Sequence, residues 1–282
     1  MYEEKHALVG DSTIHRIVEF AAVSSSFSLF LQKSFHSWQA SLASWAVIAF
    51  VAAVVWRLLA HIPQQKQYQT PSGVNTKLPW TNPKAWLITI SFGLMAVLFY
   101  SFTAWLPQII QGMGYTKSYA ANALTLFVAV QIPVSLILSV VLRKIPSRRL
   151  WLIVESLFEL CGLLLLVFHR HPLVASGLIG IGAGGLFPLN LLLPIDITSD
   201  HHEAAAWSAK AQSVGYVIGA AGPIFLGWIH AVSNSFSSAV FALIAVVLFM
   251  MVVQVAATSQ LKLSHTKVLA KNRRHLRKAG RI

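Results

Sequence analysis

Six apolar stretches follow one another almost without interruption from Trp86 to Ala257, and only one full stretch and a shorter one precede them. A membrane-crossing helix needs about 20 mostly apolar residues, because the helix rises about 1.5 Å per residue and the hydrocarbon layer is about 30 Å thick. Seven segments meet that length: Leu42–Ala60, Trp86–Ile110, Ala120–Leu142, Leu150–Phe168, Pro172–Pro194, Ala211–Ala231 and Ser238–Ala257. An eighth, Ile17–Gln32, is shorter, contains Glu19 and a run of three serines, and reads as a clipped or interfacial helix. The fold class expected is therefore all-α, a polytopic transmembrane bundle of seven or eight spans.

Composition agrees: 56% of the 282 residues are hydrophobic and 11% charged, with a mean hydropathy of +0.64, a balance foreign to soluble domains. One cysteine, Cys161, lies within an apolar run, so an intrachain disulfide is excluded and the thiol reads as a small filler. The net charge of +13 would suggest nucleic acid in a soluble protein. Here most of the cations sit in short connections and in the tail, where orientation and lipid contact account for them, and no nucleic-acid role is expected. The opening MYEEKHALVGDSTIHR is acidic and mixed, unlike a secretory signal, so the spans themselves are expected to direct insertion.

Cations in short loops favour the cytoplasmic side. Lys66, Lys77 and Lys84 follow the first full span, Lys117 the next, Arg143, Lys144, Arg148 and Arg149 the third, and Arg170 the fourth. This alternation places His61–Lys84, Arg143–Arg149 and Ile195–Lys210 inside an inner membrane, together with a C-terminal tail holding eight Lys and Arg from Lys262 to Arg281. That tail is expected to meet anionic lipid. Gln64–Pro79 is the longest polar connection and the linker candidate. The division expected is residues 1–60 as a leading part (partial helix 17–32, span 42–60), 61–85 as a cytoplasmic linker, 86–257 as a six-helix block and 258–282 as a basic cytoplasmic tail.

Within that block FGLMAVLFYSFTAWLPQII (Phe92–Ile110), GIGAGGLFPLNLLLPIDITSDHHEAAAWSA (Gly180–Ala209) and AQSVGYVIGAAGPIFLGW (Ala211–Trp228) resemble the major facilitator superfamily, in its cyanate-permease-like branch. The likeness runs from about Ala21 to Ala257. It implies two six-helix halves made of inverted repeats, with Trp86–Ala257 as family helices seven to twelve, Leu42–Ala60 as the sixth and Ile17–Gln32 as what remains of the fifth. VLRKIPSRRLW (Val141–Trp151) stands where the family has its basic gating loop, keeping the cations without the usual Gly and Asp. The resemblance implies a transporter of a small solute and no cofactor. It also leads to the expectation that the chain is incomplete and supplies one wall of a site shared with a second half-transporter or another copy of itself. The competing reading is a membrane protein that does not transport, a transporter remnant that is either inert or serves as an assembly partner.

Six residues are candidates for that wall. On the first span of the block, Thr89, Gly93, Ala96, Tyr100 and Thr103 share a small, polar face. Tyr100 is a candidate solute ligand and Trp105 a candidate closure of the outer end, with helix packing and interfacial anchoring as the competing readings. Gln131, in a stripe with Ser135 and Ser139 around Pro133, needs a partner or water at mid-span. Asn190, Gln212 and Tyr216 complete the set. Gly180, Gly182 and Gly185 spell G-x-G-x-x-G, but inside an apolar helix, and with Gly177, Gly184, Gly215, Gly219 and Gly222 they read as grooves for close helix approach.

Glu155 and Glu159 are two carboxyls one turn apart in an apolar helix, which makes them proton-coupling candidates. The competing reading has Glu155 snorkelling toward Arg148 and Arg149. Asp200, His201, His202 and Glu203 lack the spacing of a metal motif, so no metal is expected, and Ser199 or Asp200 is expected to cap a helix from near Glu203. No arrangement of nucleophile, base or paired acids argues for an enzyme.

Overall fold

The computed structural model describes residues 37–59, 78–198 and 201–279. Ile17–Gln32, most of the linker, and the proposed caps Ser199 and Asp200 lie outside the described residues. The chain divides into two compact units, Met1–Val74 and Asn75–Ile282. Within the first, α1 runs from Trp38 to Leu59, and its described apolar stretch is Ala43–Arg57.

The second unit contains α2 (Pro83–Gly112), α3 (Lys117–Lys144), α4 (Arg148–Val167), α5 (Pro172–Ile197), α6 (His201–Ser233) and α7 (Phe236–Ala279). All six are long and apolar enough to cross a membrane, and the described residues are otherwise turns and short connections. Start signals are local. Pro83 occupies the first turn of α2, where its missing N–H costs nothing, and Asn82 Oδ1 accepts from the Lys84 N–H at 2.9 Å. Thr116 and Ser147 cap α3 and α4 in the same way, accepting from the Tyr119 and Leu150 N–H groups.

Helix α6 begins at His201, within two residues of the expected helix start near Glu203 and ten residues before the apolar span from Ala211, whereas α7 differs from expectation by continuing past Ala257 to Ala279. Hydropathy marks the part of a helix that needs lipid, whereas HHEAAAWSAK and the Lys- and Arg-containing tail are polar segments of good helix formers. Lys210, which falls just before the apolar span, is therefore well inside α6.

Packing is uneven. More than half of the apolar window is buried in α2 (56%) and α5 (61%), against 11% in α3, so α2 and α5 form the centre and α3 keeps a long open face. Phe92, Leu98 and Phe102 of α2, Phe127 of α3 and Leu186 of α5 lie in the core. Glycines set the spacing. A methyl group at Gly180 would sit 2.5 Å from the Phe127 carbonyl oxygen of α3, and one at Gly184 would sit 2.7 Å from Gln131 Cα. On another face of α5, methyl groups at Gly182 and Gly185 would collide with the Glu159 and Glu155 side chains of α4. The G-x-G-x-x-G is thus a packing surface, its helix touched on two sides.

Helices α2 and α6 run parallel along a second glycine seam. Gly215 receives the Phe92 ring, Gly219 meets Ala96 Cβ, and Gly222 approaches the Val97 carbonyl and Ser101 Oγ. A methyl at Gly227 would touch Trp105 Cζ2 at 3.0 Å. Pairs about 122 positions apart stay in register over a little more than three turns, so the two helices remain in continuous contact.

Candidate functional site

Three elements meet around one ring. Phe92 of α2, 1% exposed, is met edge-on by Tyr216 of α6 at 5.1 Å between centroids and by Phe187 of α5 at 6.3 Å. Phe187 and Tyr216 are 42% and 38% exposed, so two accessible rings rest on a buried one. Gly215 makes this possible, since any side chain there would occupy the place of the Phe92 ring. Half-buried Gln212 stands one turn before Tyr216 on α6. Tyr100, also half-buried, packs edge-on to Phe99 at 5.6 Å and lies against Gly219, one turn beyond Tyr216.

The structure thus brings Tyr100, Gln212 and Tyr216 together on the side of α6 that also carries Ala209 and Ala220. Val217, Ile224 and Trp228 are 74%, 75% and 61% exposed and occupy a different side of that helix. Large apolar groups suit lipid; small and polar ones suit a polar path or a second protein surface.

The other candidates are engaged within the bundle. Asn190, 1% exposed, accepts from Ser91 Oγ at 2.6 Å and donates through Nδ2 to the Leu186 carbonyl at 2.9 Å. Its side chain is a strap between α5 and α2. Gln131 donates to the Phe127 carbonyl of its own helix at 3.0 Å, which meets its need for a partner without a second helix. Trp105 donates from Nε1 to the Pro223 carbonyl of α6 at 3.0 Å, with the His230 ring 5.9 Å away. That indole is an interhelical fastener at one end of the α2–α6 seam.

Glu155 and Glu159 are 4% and 1% exposed, and Oε2 of each lacks a hydrogen-bond partner. Beside them Ser156 donates to Gln254 Oε1 of α7 at 3.0 Å, while Gln254 Nε2 is unpartnered. The snorkelling alternative for Glu155 is not what the structure shows: its carboxyl packs on Gly185, and Arg148 binds Asp196 Oδ2 through Nε at 2.6 Å. Reaching toward the arginines would mean leaving the glycine seam, and Asp196 at the end of α5 already neutralises Arg148. The carboxyl cluster therefore belongs to the α4–α5–α7 contact, on a different side of α5 from the strap to Ser91.

Sequence reasoning passed over Ser91, Gln254, Asp196 and Phe187. A lone polar residue in an apolar helix was the available signal for the first two, and an acid two residues after Pro194 for the third. Phe187 gave none, because an aromatic in an apolar span looks like any lipid-facing side chain. From residue 85 to the end of α2, from 118 to 142 in α3, from 172 to 195 in α5 and from 211 to 233 in α6, no Asp, Glu, Lys or Arg occurs. The aromatic wall is thus electrically neutral. A cavity of about 260 Å³ lined by Ile109, Met113, Leu166, His169, Asn234 and Phe236, among others, touches none of the eight candidate residues. No group of three His, Cys, Asp or Glu side chains is close enough to hold a metal among the described residues.

A bundle of long apolar helices spaced by glycine seams, with buried polar straps, is the architecture of a multi-pass integral membrane protein. The sequence model of the Major Facilitator Superfamily matches residues 20–169, and the chain belongs to that superfamily. It is similar to the uncharacterized transporter YycB of Bacillus subtilis (strain 168), with 30% identity over 82% of this chain and 58% of that protein. The 2-nitroimidazole transporter of Escherichia coli (strain K12) is 28% identical over 77% of this chain and 56% of its own. The cyanate transport protein CynX of the same organism is 28% identical over 71% and 52%. These relatives include the cyanate-permease-like branch suggested by the motifs. The chain spans little more than half the length of each of them.

Proposed function

We propose that the chain forms one side of a facilitator-type transporter for a small solute. The observation that carries this reading is the neutral wall where Phe187 and Tyr216 lie on Phe92 beside Tyr100 and Gln212. Exposed rings with hydroxyl and amide groups, and no fixed charge, suit a small planar solute held by stacking and one or two hydrogen bonds. Of the solutes in the relatives' names, 2-nitroimidazole is the better match to such a wall and cyanate, an anion, the poorer one. A second half-transporter or another copy of the chain supplies the facing wall. Asn190 and Trp105 act here through the positions of the helices they fasten, and Gln131 through the backbone of its own helix.

In the same reading Glu155 and Glu159 serve proton coupling. Their side chains pack into the space left by Gly182 and Gly185, and a proton is what two such enclosed carboxyls can exchange. Lys84, Arg143, Arg148 and Arg149 gather at the end where α2, α4 and α6 begin, and this supports an inner-membrane protein with that end and the C-terminus in the cytoplasm.

Uptake into vesicles bearing the full chain, alone and with a co-expressed partner half, tests the proposal. Labelled 2-nitroimidazole is expected to enter faster than cyanate, and uptake no greater than in vesicles lacking the chain, under both conditions, would remove the reading. Glu159→Gln is expected to flatten the pH dependence of uptake; an unchanged profile would end the proton-coupling role.

A further inference from the structure

At the end of the α2–α6 seam where both helices begin, the structure buries a cation. Lys210 is 1% exposed, although isolated charges in the span of an apolar helix are costly and tend to mark function. Its ammonium donates to the Pro79 carbonyl at 3.0 Å and lies 3.9 Å from the centroid of the Trp86 ring and 5.4 Å from that of Trp80. The box is built for this occupant. Trp86 Nε1 donates to the Trp80 carbonyl at 2.7 Å, which fixes the angle of its ring, and the Trp80 and Trp86 rings are 6.1 Å apart. Pro79 O also accepts from the Asn82 N–H at 3.4 Å, and Asn82 is the cap of α2. The cation is thereby tied to the residues that start the helix.

The opposite end of the seam is closed by the Trp105 to Pro223 bond, also 3.0 Å. Between the two fastenings α2 and α6 touch closely through Gly215, Gly219 and Gly222, against Phe92, Ala96 and Ser101. We propose that Lys210 is a positioning residue, an ammonium plug that holds the turn Leu78–Asn82 and the first turn of α2 onto α6. The pair of helices then moves as one body, pinned at both ends of a closely packed middle. A leucine would fill the same volume, but only a cation binds two π faces and a carbonyl at once, so the contact is directional as well as tight. This goes beyond the transport reading and depends on no particular solute.

Hydrogen exchange on the full chain in lipid nanodiscs, followed by mass spectrometry, tests it without transport. Lys210→Met should speed exchange of the amides of residues 84–92 about tenfold and leave residues 155–185 unchanged. Trp86→Leu should do the same, and the double variant should be no faster than the faster single one, because both remove one contact. Lys210→Arg, which keeps a cation over the ring, should stay within about twofold of the parent. Unchanged exchange in Lys210→Met, acceleration shared equally by residues 155–185, or additive effects in the double variant would each overturn the proposal. Should Lys210→Met not yield a monodisperse protein, Trp86→Phe keeps the ring face while deleting the indole bond to Trp80. A smaller acceleration confined to residues 84–92 is then expected, and no acceleration counts against the plug.

Discussion

The α2–α6 seam and the α4–α5 seam are built on the same device and filled with opposite chemistry. In both, glycines let backbones approach more closely than any other residue allows. Along α2 and α6 the space is taken by a ring, a methyl, a hydroxyl and an indole, from Phe92, Ala96, Ser101 and Trp105. Along α4 and α5 it is taken by the Glu155 carboxyl at Gly185 and by the Glu159 side-chain methylene and the Glu155 backbone carbonyl at Gly182. The first seam opens at one edge onto accessible aromatics, while the second is closed, with Glu155 and Glu159 no more than 4% exposed. A glycine groove therefore says that two helices are close but not why. What fills it separates a surface that can meet a neutral solute from a site that can hold protons.

The largest effect that probes this contrast comes from filling each groove. Gly185→Val and Gly215→Val should each destabilise the bundle by about 3 kcal/mol, the upper range for overpacking a tight core, measured by unfolding in mixed micelles. Relief should be specific. Shortening Glu155 to Ala should recover much of the loss in Gly185→Val and none of it in Gly215→Val, and Phe92→Ala should do the reverse. Cross-relief would show that the two seams are one packing unit.

A smaller effect separates the straps that cross between seams. Asn190→Leu removes the acceptor of Ser91 and leaves that hydroxyl to find another, so a loss of about 1 kcal/mol is expected, the scale of an interhelical hydrogen bond in lipid. The double variant Ser91→Ala with Asn190→Leu should lose no more than the single one, since the orphaned donor is gone. A full additive loss would mean that Asn190 acts through its volume and not through its bond.

Much of this was legible because membranes demand so much of a sequence. The six long helices, their antiparallel order and the glycine grooves follow from span length and small-residue spacing, which lipid enforces regardless of tertiary detail. The side chains were harder. Asn190, Gln131 and Trp105 are candidate solute ligands by polarity and depth, yet polarity at depth equally suits an interhelical bond, as at Asn190 and Trp105, or a bond back to the residue's own helix, as at Gln131. Lys210 falls outside the apolar span read from hydropathy, because a charge ordinarily ends an apolar window. That inference fails where a carbonyl and two indoles replace water. Phe187 was invisible for the converse reason, an apolar residue whose role depends on the ring behind it.

The finest test asks whether the open edge of the first seam is a binding wall at all. Tyr216 is 38% exposed and makes an edge-on contact with Phe92, so Tyr216→Phe keeps the ring and should change stability by less than about 0.5 kcal/mol, as for partly exposed positions. If the ring stacks on solute and the hydroxyl bonds to it, Tyr216→Phe should weaken binding of 2-nitroimidazole to the purified full chain about threefold and Tyr216→Ala about tenfold, in line with an aromatic contact of about 1 kcal/mol beyond the hydrogen bond. Glu159→Gln, on the other seam, should leave that affinity unchanged at fixed pH. A Tyr216→Ala variant that binds as tightly as the parent would return this ring to the role its neighbours Phe92 and Gly215 already suggest, a spacer between α2 and α6, and the difference between the two seams would then be one of packing alone.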